Sequence, residues 1–399
     1  MKRLIRVVPV FIVAVAIATN SFRIFTALPI FALGGFFLLF FKREFTGNER
    51  IAIAISTVYF MVQLIGNYFT AAPEQSLMYT LRIAGLPVAV FIAVLIAAKN
   101  RSRYNLLLAA LLASVAVIDI NIVYNAFNGI GRTGKIPVLE LAGMFQWPDW
   151  FNSIACPFAA VMFFRTAGKA KWLWLGAAIL FFAASLLNGS RMLWISLFLC
   201  CLVYLAITSK LNRRNLLYCL AALLLCGLVL FVVPTTRWRI LMFFDPNAMA
   251  NADRIAVWTN SLYMIGDFPW FGVGNGMFKY VFNKFYTFGY VFRSGELSHA
   301  HNLLLARLAD SGIVGTIPFV AMLWYYFKSV YVKLGEAVKP EVVAGFVAMC
   351  GWLFMGIFDY CLRFPPTSLA FAIIAALTIA RANMVGVGAI HESPETSTK

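Results

Sequence analysis

The chain has 399 residues, of which 62% are hydrophobic and only 12% charged. So few charges cannot clothe a soluble domain of this length, and the recurring apolar runs mark an integral membrane protein. A formal net charge of +17 raises nucleic acid as a partner, but the basic residues gather in short loops between apolar runs, so no nucleic acid is expected.

Crossing about 30 Å of hydrocarbon takes roughly 20 apolar residues. Twelve runs qualify or come close, at about 7–20, 24–41, 51–69, 83–98, 105–124, 152–165, 172–188, 191–208, 215–233, 312–331, 342–360 and 365–381. The first follows Met1-Lys2-Arg3 and reads as a retained signal anchor. With the N-terminus inside, the inner segments hold 20 of the 33 Lys/Arg and 6 of the 16 Asp/Glu. That asymmetry is the positive-inside signature, with both termini on the cytoplasmic side. The expectation is an all-α, polytopic protein of about 12 transmembrane helices, a single membrane domain over 1–399. Two outer insertions interrupt it, a smaller one at about 124–150 and a larger one at about 234–311, between the ninth and tenth spans.

Asp119 is the clearest mid-span charge, toward the outer end of its run, and a proton-coupled carrier would show more. Seven cysteines form no Cys-x-x-Cys pair, so neither a metal site nor a disulfide framework is indicated. In the large insertion, Asp253 is placed to cap a helix starting at Arg254. Ile255, Trp258, Leu262 and Ile265 fall on one of its faces, with Asn260 and Ser261 on another. Asp267-Phe268-Pro269 ends it, and Phe271 to Gly276 is turn-rich. Phe278, Val281, Phe282 and Phe285 form a second apolar stripe. Both stretches read as amphipathic helices lying on the membrane or covering the bundle.

Three cationic or basic groups stand on the outer face. Arg191 follows a very short turn, Arg254 opens the first amphipathic helix, and His301 leads into the tenth span. Singly, such arginines are more often interfacial anchors. Together they suit a phosphate beside a proton acceptor. Arginine grips phosphate through paired charged hydrogen bonds. Two arginines would hold a diphosphate and stabilise it as a leaving group, while an imidazole takes the proton of an attacking hydroxyl. No Asp-x-Asp pair and no Walker-type loop accompany them. The phosphate energy must then arrive with the substrate, as it would in a lipid-linked diphosphate donor.

His301-Asn302, followed by Gly312-Ile313-Val314-Gly315, resembles the His-Asn…Gly-x-x-Gly signature of O-antigen ligases. Arg254 to Trp258 and Asp267-Phe268-Pro269…Gly272-x-Gly274 resemble the wider O-antigen ligase/polymerase family. The resemblance implies a GT-C-like membrane glycosyltransferase of the bacterial inner membrane, with its active site facing the periplasm. Such an enzyme transfers O-antigen from undecaprenyl diphosphate to a sugar hydroxyl of the lipid A–core oligosaccharide, inverting the anomeric centre, with no cofactor and no metal. It implies His301 as the base and Arg191 and Arg254 as diphosphate ligands. Asn302 would orient His301, Trp258 would support the site, and Asp359 would steer an acceptor sugar or an arginine. The plainer alternative for Asp359 is pairing with Arg363, and His299 has no assigned role. An O-antigen polymerase or another polyprenyl-diphosphate-dependent transferase remains the alternative, and a non-catalytic lipid or polysaccharide transporter the second.

Overall fold

The computed structural model describes residues 45–70, 72–128, 148–208, 212–232, 237, 241, 249–292, 295–334 and 339–384. The runs at 7–20 and 24–41 and most of the smaller insertion lie outside the described residues. The described part is mostly helical, with no strand among the described residues. In order the helices are α1 (Gly47–Gly66), α2 (Pro73–Thr80), α3 (Leu86–Ala97), α4 (Arg101–Phe127), α5 (Pro148–Arg165), α6 (Ala170–Asn188) and α7 (Arg191–Ile207). There follow α8 (Arg213–Val232), α9 (Met249–Asp267), α10 (Phe278–Phe285), α11 (Leu303–Tyr331), α12 (Pro340–Phe358) and α13 (Pro365–Asn383). A π-helical turn, Leu81–Gly85, joins α2 to α3 into one span. Among the described residues, seven spans are long and apolar enough to cross a membrane, and α7 is a shorter apolar helix. A helix begins within a few residues of each described run except the tenth.

Local chemistry sets several ends. Thr46 and Glu49 form a reciprocal capping box at the start of α1. Gly189, at a left-handed φ of 69°, closes α6 and lets Arg191 open α7 two residues later. α13 lies at the centre, with nearly every residue buried, as expected of a helix apolar all round. Trp352 of α12 stacks on its Phe371 at 4.0 Å. On its other side, α12 meets α5 at Gly351, where a Cβ would overlap the Ser153 carbonyl oxygen. Small residues of this kind let membrane helices approach closely. Buried Asp119 accepts from Asn152 of α5 at 2.9 Å, pinning α4 to α5.

Three ion pairs mark one end of the bundle. Lys99 meets Glu49 at 2.9 Å, and Glu341 meets Arg101 at 2.7 Å and Arg381 at 3.5 Å. The other ends of α1, α12 and α13 therefore lie on the opposite side, together with α9, α10 and the start of α11.

Candidate functional site

The site is built around the start of α11. That helix begins at Leu303, nine residues before the apolar run read from the sequence. Asn302 caps it, its Oδ1 accepting from Leu305 N at 2.9 Å, and its Nδ2 donates to Ile357 O of α12 at 2.8 Å. Asn302 thus ties the start of α11 to the end of α12. His301 precedes it with a φ of 49°. A non-glycine residue there holds about 1–3 kcal/mol of strain, which the surrounding fold sustains.

The end of α12 delivers Asp359. Its Oδ1 lies 3.1 Å from His301 Nδ1 and 3.0 Å from His299 Nε2, and accepts from its neighbour Tyr360 N at 2.8 Å. Burial alone would raise this carboxyl; the two imidazole hydrogen bonds and the imidazole charges outweigh it and hold the group well below the usual carboxylate range. An ionised carboxylate only accepts, so both imidazole nitrogens donate to it. In its neutral form the His301 ring then carries its proton on Nδ1, and Nε2 is the nitrogen left with a lone pair. The His301 side chain is 33% exposed while that of His299 is 4% exposed. Ser298 Oγ stands 2.7 Å from His299 Nδ1. Asp359 therefore bridges the two histidines rather than steering an arginine alone. The Arg363 side chain lies outside the described residues.

Arg254 sits in α9, one turn after Asn251, close enough to Asp359 for the two charges to be felt. Burial lowers its guanidinium from the ordinary value, and Asp359 acts against that; it remains charged. Arg191 Nη2, at the start of α7, donates to Asn251 Oδ1 of α9 at 3.3 Å. The structure thus brings Arg191 to the helix that carries Arg254, and Arg254 to the carboxylate that holds His301. Trp258, one turn beyond Arg254, is partly buried, and its indole N–H has no partner among the described residues.

One local expectation needs correction. Asp253 is not a cap, because α9 already runs from Met249; its carboxylate accepts from the Tyr290 hydroxyl at 3.1 Å. The apolar stripe of α9 divides between two surroundings. Ile255 and Leu262 are exposed, while Val257, Asn260, Ser261 and Met264 are buried. A helix at a membrane surface can offer apolar side chains to lipid and reserve its polar ones for the protein. α10 buries Phe278 and Phe282 and leaves Phe285 exposed.

Gly312 is where α11 breaks, with φ 60° and ψ −168° inside the helix. The amides of Ile313 and Val314 donate to Pro269 O at 2.8 Å and Trp270 O at 3.0 Å, instead of to Ala309 and Asp310. Those two carbonyls accept from Val273 N and Gly274 N, each at 2.9 Å. Two helical bonds are thus exchanged for four bonds to the 269–274 loop. A Cβ on Gly312 would overlap the Trp270 carbonyl, and one on Gly272 would lie 2.5 Å from Ala309 O. The glycines and Pro269 of the motif clamp the loop that follows α9 onto the helix that follows His301.

Sequence reasoning missed the polar set behind this clamp. Arg307 is fully buried in α11, donating to Asn275 Oδ1 at 2.9 Å, Gln63 Oε1 at 2.5 Å and Ser311 Oγ at 2.7 Å. Asn275 in turn donates to Thr80 Oγ1 at 2.7 Å. Tyr360, next to Asp359, donates to Asp310 Oδ2 at 3.1 Å; burial first, then the Asp310 charge, pushes its hydroxyl well above the ordinary value. The available signal was an arginine and an aspartate one turn apart, Arg307 and Asp310. Hydropathy places both in the loop before the apolar run, where charged residues are ordinary, and not in a span.

Residues 176–320 match the family model described as O-antigen ligase. That span holds Arg191, Arg254, Trp258, His301 and Asn302; Asp359 lies beyond it. The chain gives no match among curated proteins.

Proposed function

We propose that this chain, whose residues 176–320 match the O-antigen ligase family model, is an inverting, metal-independent glycosyltransferase of the bacterial inner membrane. It moves O-antigen polysaccharide from undecaprenyl diphosphate to a sugar hydroxyl of lipid A–core, on the periplasmic side. The observation that carries this reading is the His301–Asp359 pair beside Arg254: an imidazole whose Nδ1 is engaged and whose Nε2 is open.

In the proposed reaction the acceptor hydroxyl oxygen attacks the anomeric carbon of the donor's first sugar. Its proton passes to His301 Nε2. The anomeric C–O bond to the diphosphate breaks, and its electron pair leaves with undecaprenyl diphosphate. Attack opposite the leaving group inverts the anomeric centre. Asp359, held ionised, accepts from Nδ1–H and stabilises the imidazolium that forms. Arg254 and Arg191 neutralise the growing charge on the diphosphate, and the Trp258 indole N–H supplies a further donor. Asn302 keeps the His301 end of α11 on α12. A ligase, an O-antigen polymerase and other polyprenyl-dependent transferases share this chemistry and differ in the acceptor.

The test is ligation by purified protein supplied with lipid-linked O-antigen and lipid A–core, in excess chelator. Removing a general base costs roughly 10²–10⁴-fold, so His301→Ala is expected to lose activity on that scale. Equal attachment by variant and wild type would end the base assignment, and wild-type activity abolished by chelator would end the metal-free mechanism. In cells, loss of a ligase leaves long chains on the lipid carrier, whereas loss of a polymerase leaves one repeat on the core.

A further inference from the structure

His299 and His301, one residue apart, converge on the same carboxylate oxygen. His299 Nε2 is 3.0 Å and His301 Nδ1 3.1 Å from Asp359 Oδ1. One ligand atom from each of the three groups falls within 4.8 Å of the others. A tetrahedral zinc ion with bonds of about 2.0–2.2 Å spaces its ligand atoms roughly 3.3–3.5 Å apart. Two of the three edges already approach that spacing. The third lies within reach of a small rotation of His301, the more exposed ring. Ser298 Oγ stands 2.7 Å behind His299 Nδ1 and can accept from Nδ1–H once Nε2 is a ligand, the outer-shell hydrogen bond usual for a ligating histidine.

We propose that His299, His301 and Asp359 form a site for a borderline-soft divalent cation, Zn²⁺ or a close relative, and that its occupancy silences the transferase. Two imidazoles and one carboxylate suit zinc, copper or nickel, whereas magnesium and calcium prefer oxygen shells. Coordination through His301 Nδ1 and His299 Nε2 replaces their hydrogen bonds to Asp359. The displaced protons move to the far nitrogens, to His299 Nδ1 facing Ser298 Oγ and to His301 Nε2. No proton leaves either neutral ring. His301 Nε2 then carries a hydrogen and cannot take one from an acceptor hydroxyl. The silencing rests on His301 being the base; the binding does not.

The Arg254 guanidinium near Asp359 opposes a dication. Neutralising it is therefore expected to tighten the metal site while weakening the transfer reaction. These opposite effects separate metal capture from catalysis.

The experiment uses the purified full chain, stripped with chelator and titrated with Zn²⁺ by calorimetry, with Co²⁺ as a spectroscopic substitute and Mg²⁺ as the negative control. One saturable Zn²⁺ site is expected, at least tenfold weaker in His299→Ala and in Asp359→Ala, and several-fold tighter in Arg254→Gln. Ligation is expected to fall with Zn²⁺ occupancy and to return on adding chelator. No saturable site, or one unchanged in His299→Ala and Asp359→Ala, overturns the metal site and leaves the base assignment standing. A site that depends on these residues but leaves ligation undiminished when filled overturns the silencing and counts against His301 as the base.

Discussion

Gly312→Ala tests whether the clamp between α11 and the 269–274 loop holds the site together. The φ of 60° and ψ of −168° at this position belong to a region that is essentially glycine's. Holding alanine there costs about 1–3 kcal/mol. The new Cβ also meets the Trp270 carbonyl and the Phe271 amide nitrogen, which are main-chain atoms and cannot rotate aside. The chain escapes by closing α11 into a regular helix. That restores two helical bonds and gives up the four to Pro269, Trp270, Val273 and Gly274. A net loss of two bonds, at about 0.5–1.5 kcal/mol each, amounts to roughly 1–3 kcal/mol. By either route the variant loses a few kcal/mol, and the second route also shifts the His301 end of α11 against α12. The assay is thermal unfolding in detergent followed by tryptophan fluorescence, alongside the ligation rate. Gly289→Ala is the control, because φ is +77° there but nothing lies within 4 Å of the added Cβ. Gly312→Ala should unfold several degrees below Gly289→Ala and lose most of its activity. Equal melting temperatures and equal rates for the two would refute the clamp.

Asp359→Asn is expected to lower thermal stability at neutral pH and to slow transfer. The folded carboxyl is held below its ordinary value, so its stabilisation is complete above the unfolded value of about 3.9 and fades only as pH falls further. The melting gap between wild type and variant should therefore narrow as pH falls below about 3.9, where the unfolded carboxyl takes up its proton first; a gap that persists unchanged into strong acid would contradict the assignment. Arg307→Met removes a buried guanidinium that donates to Asn275, Gln63 and Ser311. Breaking such a buried charged set costs about 3–5 kcal/mol, to be read as poor recovery of folded protein or a large fall in melting temperature, and a wild-type melt would show the network to be dispensable.

Much of the fold was legible because a membrane span announces itself by length and apolarity. The described helices start or end close to ten of the runs read from the sequence, and the other two runs lie outside the described residues. His301, Arg191, Arg254 and Asp359 stood out as polar groups at the ends of apolar runs. What misled was continuity. Gly312 looked like the start of a span because Arg307, Asp310 and Ser311 precede it, yet the helix begins at Leu303 and buries all three.

Sequence alone determined the class of the protein, its all-α membrane architecture, and the histidine and arginines of the candidate site. These follow from composition, from the length of apolar runs and from a short motif, all of which are local. Only the tertiary structure decided that His299 shares a carboxylate with His301, that Asn302 ties α11 to α12, and that α9 shows part of its apolar face outward. Lipid and protein interior are equally apolar, so hydropathy cannot say which face is buried. The partners of Asp359 lie 58 and 60 residues away in the chain, and only helix packing brings them within a hydrogen bond.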